Sequence, residues 1–125
     1  MVIADDHESI RLALKAILAA DPNISVVAEA ADGREAIAAV VRLLPDVLIL
    51  DNNMPLLSGV EVARRLQARL EPRPTIVFFS TEAVPADALR PRDRAVLKDA
   101  RPDEILRAVV EAASARAAGG PAPRP

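Results

Sequence analysis

Five polar residues stand where apolar stretches of this sequence stop. Asp5 and Asp6 follow VIA, Asp51 follows VLIL, Ser80 follows IVFF and Lys98 follows AVL. Short apolar runs of this kind are typical of strands that are covered on both faces of a parallel sheet. In open parallel sheets, functional groups gather beyond the carboxyl ends of the strands. We therefore expect three carboxylates, a hydroxyl and an ammonium at one edge of a sheet.

Three carboxylates at one edge repel one another and call for a cation. Two like charges about 4 Å apart repel by roughly 4 kcal/mol at an effective dielectric constant near 20. Mg²⁺ fits such a site because it binds one or two carboxylates, keeps several waters and leaves positions for phosphate oxygens. Together with Lys98 it balances the charge of Asp5, Asp6 and Asp51. The pocket could then accept a phosphoryl group.

Asp51 is the natural nucleophile, because it ends the most apolar strand and is expected at the centre of the sheet. A carboxylate that attacks phosphorus forms an acyl phosphate. Lys98 and Ser80 would then stabilise the oxygens over which charge spreads. A single charged residue after a strand is usually a solvated loop residue. The prediction of a phosphoryl site therefore depends on the joint order of the acid pair, the single acid, the hydroxyl and the lysine after successive strands. We expect His7 to be an exposed residue in the first turn of a helix, rather than a ligand or a phosphate donor.

The segments between these residues repeat apolar side chains with a helical period. They are SIRLALKAILAADP, DGREAIAAVVRLLP, SGVEVARRLQARL and PDEILRAVVEAASARAA. We expect Ser9 and Ser58 to cap the first and third helices, and Leu44 to face the core at the end of the second. ISVVAEA reads as a further strand. Alternation of strands and helices predicts a parallel sheet with helices on both faces.

Composition limits what the chain does. Its 125 residues fit one domain, and a hydrophobic content of 51% with only 2% aromatic residues predicts an aliphatic core. Without cysteine there are neither disulfides nor thiolate metal sites, and a net charge of −2 provides no cationic field for nucleic acid. The acidic start and the absence of long apolar runs predict no secretory signal and no membrane helix, so we expect a cytoplasmic protein.

Several motifs resemble the receiver domain of two-component response regulators, in particular its LuxR/NarL-type subgroup. They are ADDHES, VVAEAADGREA, PDVLILDNNMPLLSGVEV and VLKDARPDEIL. The resemblance implies a flavodoxin-like (βα)5 three-layer sandwich, with a five-stranded parallel sheet of order 2-1-3-4-5. We expect residues 1–117 to form this domain and the Gly/Pro-rich residues 118–125 to be a linker or a disordered tail.

The resemblance also implies roles for individual residues. Asp51 would accept phosphate from a sensor histidine kinase, Ser80 would be the switch hydroxyl and Lys98 would pair with the phosphate. The implied Mg²⁺ ligands are Asp5, Asp6, Asp51 and the backbone carbonyl of Asn53, with Asp5 acting through water. Asn53 and Glu82 stand at the variable positions that tune loss of the acyl phosphate. Apart from this self-phosphorylation and autodephosphorylation, no enzymatic activity is implied.

The resemblance further implies control of transcription through a DNA-binding domain that this sequence does not contain. It implies no contact of the receiver itself with nucleic acid or membrane, and it leaves association of two copies open.

Three departures from the family pattern concern how phosphorylation is read out. Ala95 stands where an aromatic switch residue is usual, and Arg101 stands where a serine cap usually precedes the last helix. The segment from Ser80 to Lys98 is short and holds Pro85 and Pro91, so the fourth helix is expected to be shortened or irregular.

These departures leave one alternative open, a pseudo-receiver that binds partners without a phosphorylation switch. An aspartate-nucleophile phosphatase is disfavoured, because Asn53 stands where such enzymes carry a second aspartate.

Overall fold

The fold is described by a computed structural model covering residues 1–119. The strands are β1 (Val2–Ala4), β2 (Ala28–Ala30), β3 (Val47–Asp51), β4 (Thr75–Ser80) and β5 (Arg94–Leu97). The helices are α1 (Glu8–Leu18), α2 (Gly33–Leu43), α3 (Gly59–Arg69) and α4 (Pro102–Gly119). All strand pairs are parallel, and the sheet order is β2-β1-β3-β4-β5. The predicted flavodoxin-like topology is confirmed.

The core lies on both faces of the sheet, because successive side chains of a strand point to opposite faces. Leu48 and Leu50 of β3 pack on the face that α2 and α3 cover, and Val47 and Ile49 pack on the face that α1 and α4 cover. Every residue of β3 is buried. This double coverage explains why the predicted strand is apolar at every position before Asp51.

Side-chain caps set the start of two helices. Ser58 Oγ accepts a hydrogen bond from the backbone N–H of Glu61, as predicted, and Asp32 accepts one from the N–H of Glu35 at the start of α2. The prediction for Ser9 was wrong, because α1 begins at Glu8 and Ser9 lies in its first turn. The turn before α1 is instead closed by Asp5, whose Oδ1 accepts a hydrogen bond from the N–H of His7 at 2.9 Å.

The prediction that Leu44 faces the core was also wrong. Leu44 follows the last residue of α2 with a φ of 49°, in the left-handed region, and it is 65% exposed. The ring of Pro45 disfavours helical backbone at the residue before it, so the chain leaves the helix there and turns the side chain outward.

The second strand is shorter than ISVVAEA suggested. Only Ala28–Ala30 pair with the three residues of β1, in the register Val2↔Ala28. β2 lies at the edge of the sheet and pairs with β1 alone, so its ladder stops where β1 stops, at Ala4.

The segment between β4 and β5 contains no α-helix. Its helical structure is a single 3-10 turn at Ala86–Ala88, which confirms the expected shortening of the fourth helix. The end of this segment is held by Asp93, a buried residue whose carboxylate accepts four hydrogen bonds. Two come from the guanidinium of Arg73, at 2.7 and 3.2 Å, and the others from the backbone N–H groups of Ile76 and Arg90. Sequence analysis did not predict this anchor.

The carboxyl-terminal part of α4 reaches Gly119, and residues 120–125 of the predicted tail lie outside the described part of the chain. The division into residues 1–117 and 118–125 therefore stays a prediction. Among the described residues, no helix is both long and apolar enough to cross a membrane.

Candidate functional site at the carboxyl edge of the sheet

The parallel sheet brings the predicted polar residues to one edge. Asp51 and Ser80 are the last residues of the adjacent strands β3 and β4, Asp5 directly follows β1, and Lys98 directly follows β5. The Nζ atom of Lys98 lies 3.1 Å from Oδ1 of Asp51 and 3.5 Å from Oδ2 of Asp5. Side chains from positions 5, 51 and 98 of the chain thus form one charged cluster.

The carboxylates of this cluster are buried and only partly compensated. Asp5 and Asp51 are each 1% exposed. Within the described chain, three buried oxygens have no hydrogen-bond partner: Asp5 Oδ2, Asp6 Oδ1 and Asp51 Oδ2. Buried anionic oxygens without partners are costly unless a cation joins them. Ligand atoms of Asp5, Asp6, His7 and Asp51 all lie within 4.8 Å of one another, so the donor set fits a metal ion.

Burial raises the pKa of the Asp51 carboxyl above its ordinary value. The negative charge of Asp5 raises this pKa further. The backbone N–H of Asn53, which donates to Asp51 Oδ1 at 2.9 Å, and the ammonium of Lys98 act in the opposite direction. Asp51 is therefore held in a site that tolerates its charge poorly and gains from an added cation.

The loop after β3 fixes the position of Asp51. The backbone N–H of Gly59 donates to the carbonyl of Asn52 at 3.1 Å, and Asn52 Oδ1 accepts from the N–H of Val60 at 3.0 Å. A Cβ at Gly59 would lie only 2.8 Å from the carbonyl oxygen of Asp51. The start of α3 can pack this closely against the end of β3 only because residue 59 has no side chain.

Ser80 lies at the same edge, but its hydroxyl is engaged elsewhere. Ser80 Oγ accepts a hydrogen bond from the backbone N–H of Glu82 at 3.2 Å, and its carbonyl accepts one from the N–H of Lys98 at 2.8 Å. The amide of Asn53 donates to Thr81 Oγ1 at 2.9 Å, which ties the loop after β3 to the loop after β4. Thr81 was missed in the sequence, although a hydroxyl directly after Ser80 was a signal for it.

His7 is exposed, as expected, and is also part of the cluster. Its side chain is 63% exposed, yet Nδ1 lies 3.1 Å from Asp6 Oδ1 and 3.3 Å from Asp5 Oδ1. Sequence analysis gave His7 no part in the site. Its position directly after the acid pair was the available signal.

Beside the site, one side of the edge strand β5 is open. Ala95 and Leu97, which alternate with partly buried residues, are exposed, and Leu97 is 49% exposed. No ring occupies this face at Ala95, and no α-helix lies between β4 and β5 to cover it.

The sequence and the fold were compared with those of known proteins, and the matches include response regulators. The family model described as "Response regulator receiver domain" matches residues 1–110. The nitrate/nitrite response regulator protein NarL of Escherichia coli K12 is 34% identical over 119 residues, which are 91% of this chain and 54% of that protein.

A protein-glutamate methylesterase/protein-glutamine glutaminase of Geobacter metallireducens is 47% identical over 77 residues, which are 62% of this chain and 22% of that enzyme. The solved signal receiver domain of a NarL response regulator from Mycobacterium tuberculosis superposes with a TM-score of 0.79 at 30% identity, covering 92% of this chain and 95% of that one. The chain thus spans about half of NarL and about a fifth of the methylesterase.

Proposed function

Since the chain belongs to the receiver domain family of response regulators, within its LuxR/NarL-type subgroup, we propose that Asp51 accepts a phosphoryl group from a histidine kinase. The observation that carries the proposal is the buried Asp51 carboxylate, with Lys98 Nζ at 3.1 Å and one oxygen without a hydrogen-bond partner. Such an oxygen has its lone pairs available for attack on phosphorus.

The chemistry requires one bond to form and one to break. Asp51 Oδ2 attacks the phosphorus, the P–N bond of the kinase phosphohistidine breaks, and the leaving imidazole nitrogen takes a proton. Lys98 neutralises charge on the phosphoryl oxygens, because its ammonium already lies within reach of Asp51. Ser80 would donate its hydroxyl proton to a phosphoryl oxygen, because the bond that its Oγ accepts from the N–H of Glu82 leaves the O–H available.

Mg²⁺ is the cofactor that we propose for this site. Asp6, Asp51 and the backbone carbonyl of Asn53 would hold it directly, and Asp5 would hold it through water. Each of the three aspartates has a buried oxygen that accepts no hydrogen bond from a described residue, which supports this choice. When bound, Mg²⁺ neutralises the carboxylates and the incoming phosphoryl oxygens.

Phosphorylation would shift the domain between two pre-existing conformations and so control an output. NarL is a response regulator protein about twice the length of this chain, and by analogy we propose transcription as the controlled output, through a DNA-binding domain. Residues 118–125 would form the linker to that domain. We expect the receiver to act in the cytoplasm, and its first and last helices are candidate surfaces for association of two copies.

The test is phosphorylation by a small-molecule donor. Incubation with Mg²⁺ and acetyl phosphate should add the mass of one acid-labile phosphoryl group, and removal of Mg²⁺ by a chelator should abolish the addition. The Asp51→Asn variant should stay unmodified, whereas Asp87→Asn, which alters an exposed aspartate of the 3-10 turn, should be modified like the wild type. Wild-type protein that stayed unmodified would refute the proposal and favour the pseudo-receiver alternative.

A further inference from the structure

His7 is placed so that its ring reaches the acid pair that it follows. It is the single histidine of the chain. Its backbone is extended, with φ −101° and ψ 116°, and its N–H is held by Asp5 Oδ1 at 2.9 Å. Nδ1 lies 3.1 Å from Asp6 Oδ1, but that oxygen accepts no hydrogen bond from any described residue. Nδ1 is also hydrogen-bonded to Asp5 Oδ1 at 3.3 Å, so the ring contacts both carboxylates of the acid pair.

The distances suit two ligands of one metal ion. Ligand atoms with bonds of about 2.1 Å to the same ion lie roughly 3.0 Å apart at right angles and roughly 3.4 Å apart in a tetrahedron. His7 Nδ1 meets this condition with Asp6 Oδ1 at 3.1 Å and with Asp5 Oδ1 at 3.3 Å. The widest separation in the cluster, 4.8 Å, must shrink, and the 63% exposure of the His7 side chain gives its ring room to move toward the aspartates.

Each of the three aspartates also offers an oxygen without a hydrogen-bond partner. Oxygen ligands alone suit Mg²⁺, whereas an imidazole nitrogen suits Zn²⁺ and similar transition ions. We propose that Asp5, Asp6, His7 and Asp51 form a four-ligand site for Zn²⁺ that competes with Mg²⁺ at the candidate phosphoryl pocket. Four protein ligands complete a tetrahedral zinc site and leave no position for a phosphoryl oxygen. Zn²⁺ would thus hold Asp51 in an unreactive form.

The inference rests on the proposed function only for this last consequence, because ion binding is measured apart from phosphorylation. Since the chain has one histidine, the imidazole nitrogens of ¹⁵N-labelled, tag-free protein report on His7 alone. Zn²⁺ should shift the resonance of the coordinating nitrogen, and Mg²⁺ at saturation should not. Imidazole nitrogens that stay unchanged at saturating Zn²⁺ would overturn the proposal.

Calorimetry gives the second measurement. The ratio of Zn²⁺ affinity to Mg²⁺ affinity should fall at least about tenfold in His7→Gln, the loss expected when a metal ligand is removed. Glu8→Gln is the matched control, because it alters the neighbouring exposed residue and should keep the wild-type ratio. An unchanged ratio in His7→Gln would also overturn the proposal.

Phosphorylation supplies the third measurement. Zn²⁺ should block labelling of wild-type protein by acetyl phosphate and Mg²⁺ at concentrations that leave His7→Gln labelled. Labelling with Mg²⁺ alone tests the proposed phosphorylation of Asp51, whereas the effect of added Zn²⁺ tests the zinc site, so each proposal can be refuted without the other. Equal sensitivity of both proteins to Zn²⁺ would count against the role of His7.

Discussion

At the scale of single residues, Lys98 holds the site together in the absence of a metal ion. Its ammonium lies between the buried carboxylates of Asp5 and Asp51, and its side chain is 17% exposed. The same ammonium lies 5.8 Å from the centre of the Phe79 ring. A lysine in this position contributes far more than a surface lysine, because its partners have little access to water.

Replacement of Lys98 by methionine should lower the free energy of unfolding by about 2 kcal/mol without divalent ions, since two buried carboxylates lose their counter-charge. Urea denaturation in a chelator measures the loss, and Mg²⁺ should recover part of it. Lys15→Met is the control: Lys15 also pairs with a carboxylate, that of Glu29 at 2.7 Å, but at the surface. That variant should lose less than about 1 kcal/mol. Equal losses in the two variants would contradict this account of Lys98.

The raised pKa of Asp51 predicts a stability that depends on pH. Because the carboxyl holds its proton more tightly in the folded protein than in the unfolded one, wild-type stability falls as pH rises from the ordinary value of 3.8 through the raised pKa. The Asp51→Asn variant does not lose stability in this way, because the asparagine side chain does not ionise. Without divalent ions it should be more stable than the wild type at pH 7, by roughly 1 kcal/mol.

Unfolding curves between about pH 3 and pH 8 measure this difference, which should shrink as the pH falls. Asp87→Asn should differ from the wild type by the same small amount at every pH, since Asp87 is exposed. A difference for Asp51→Asn that grew on acidification would show that burial does not dominate at Asp51.

At the scale of elements, a buried ion pair holds the segment that has no α-helix. Asp93 stands just before β5, and Arg73 is separated by Pro74 from Thr75, the first residue of β4. Their pair therefore lies at the amino-terminal edge of the sheet, opposite Asp51. The four hydrogen bonds of the Asp93 carboxylate join the start of β4 to residues 90–93. They fix where β5 begins without the packing that a helix would provide.

Replacement of Asp93 by asparagine should therefore cost about 3 kcal/mol, because the buried guanidinium of Arg73 loses its carboxylate. Asp103→Asn is the matched control, since Asp103 pairs with Arg101 at 3.1 Å on the exposed surface, and it should cost less than about 1 kcal/mol. Thermal and urea unfolding measure both values. Because the pair lies at the opposite edge, Mg²⁺ affinity should stay within about twofold of the wild type. An Asp93→Asn protein as stable as the control would show that the pair does not anchor the segment.

At the scale of the whole molecule, the question is which surface would change its conformation when the pocket is phosphorylated. Ser80 and Thr81 lead from the site directly into residues 82–92, which precede the buried anchor Asp93 and in which Val84 and Leu89 are the hydrophobic side chains that pack against the core. Such a segment has few buried contacts and opens at low cost. The exposed face of β5 at Ala95 and Leu97 lies next to it. Together they form the surface whose conformation we expect to change when Ser80 moves.

Addition of Mg²⁺ and beryllofluoride, a phosphoryl mimic, should shift backbone NMR signals of residues 82–92 and of β5 as well as those of the pocket. The reason is that rotation of the Ser80 side chain toward the mimic would break the hydrogen bond that its Oγ accepts from the N–H of Glu82. Asp51→Asn under the same conditions should show no such shifts. Shifts confined to the pocket would indicate a receiver that binds the mimic without switching.

The sequence alone determined a parallel sheet with helices on both faces and the meeting of the aspartates with Lys98, whereas the strand order followed from the resemblance to receiver domains. The reason is local: short apolar runs predict strands, and the carboxyl ends of parallel strands share one edge, so whatever follows them must converge. The departures from the family pattern at Ala95 and in the segment after Ser80 could likewise be identified from residue types and segment length.

Only the tertiary structure decided the contacts that no spacing encodes. The pairing of Arg73 with Asp93 and the link from Asn53 to Thr81 each join residues whose partners depend on how loops fold back. Local pattern also misjudged Ser9 and Leu44, because the Asp5 carboxylate and the Pro45 ring set the helix boundaries there. Periodicity describes one element at a time, whereas these features arise where two elements meet.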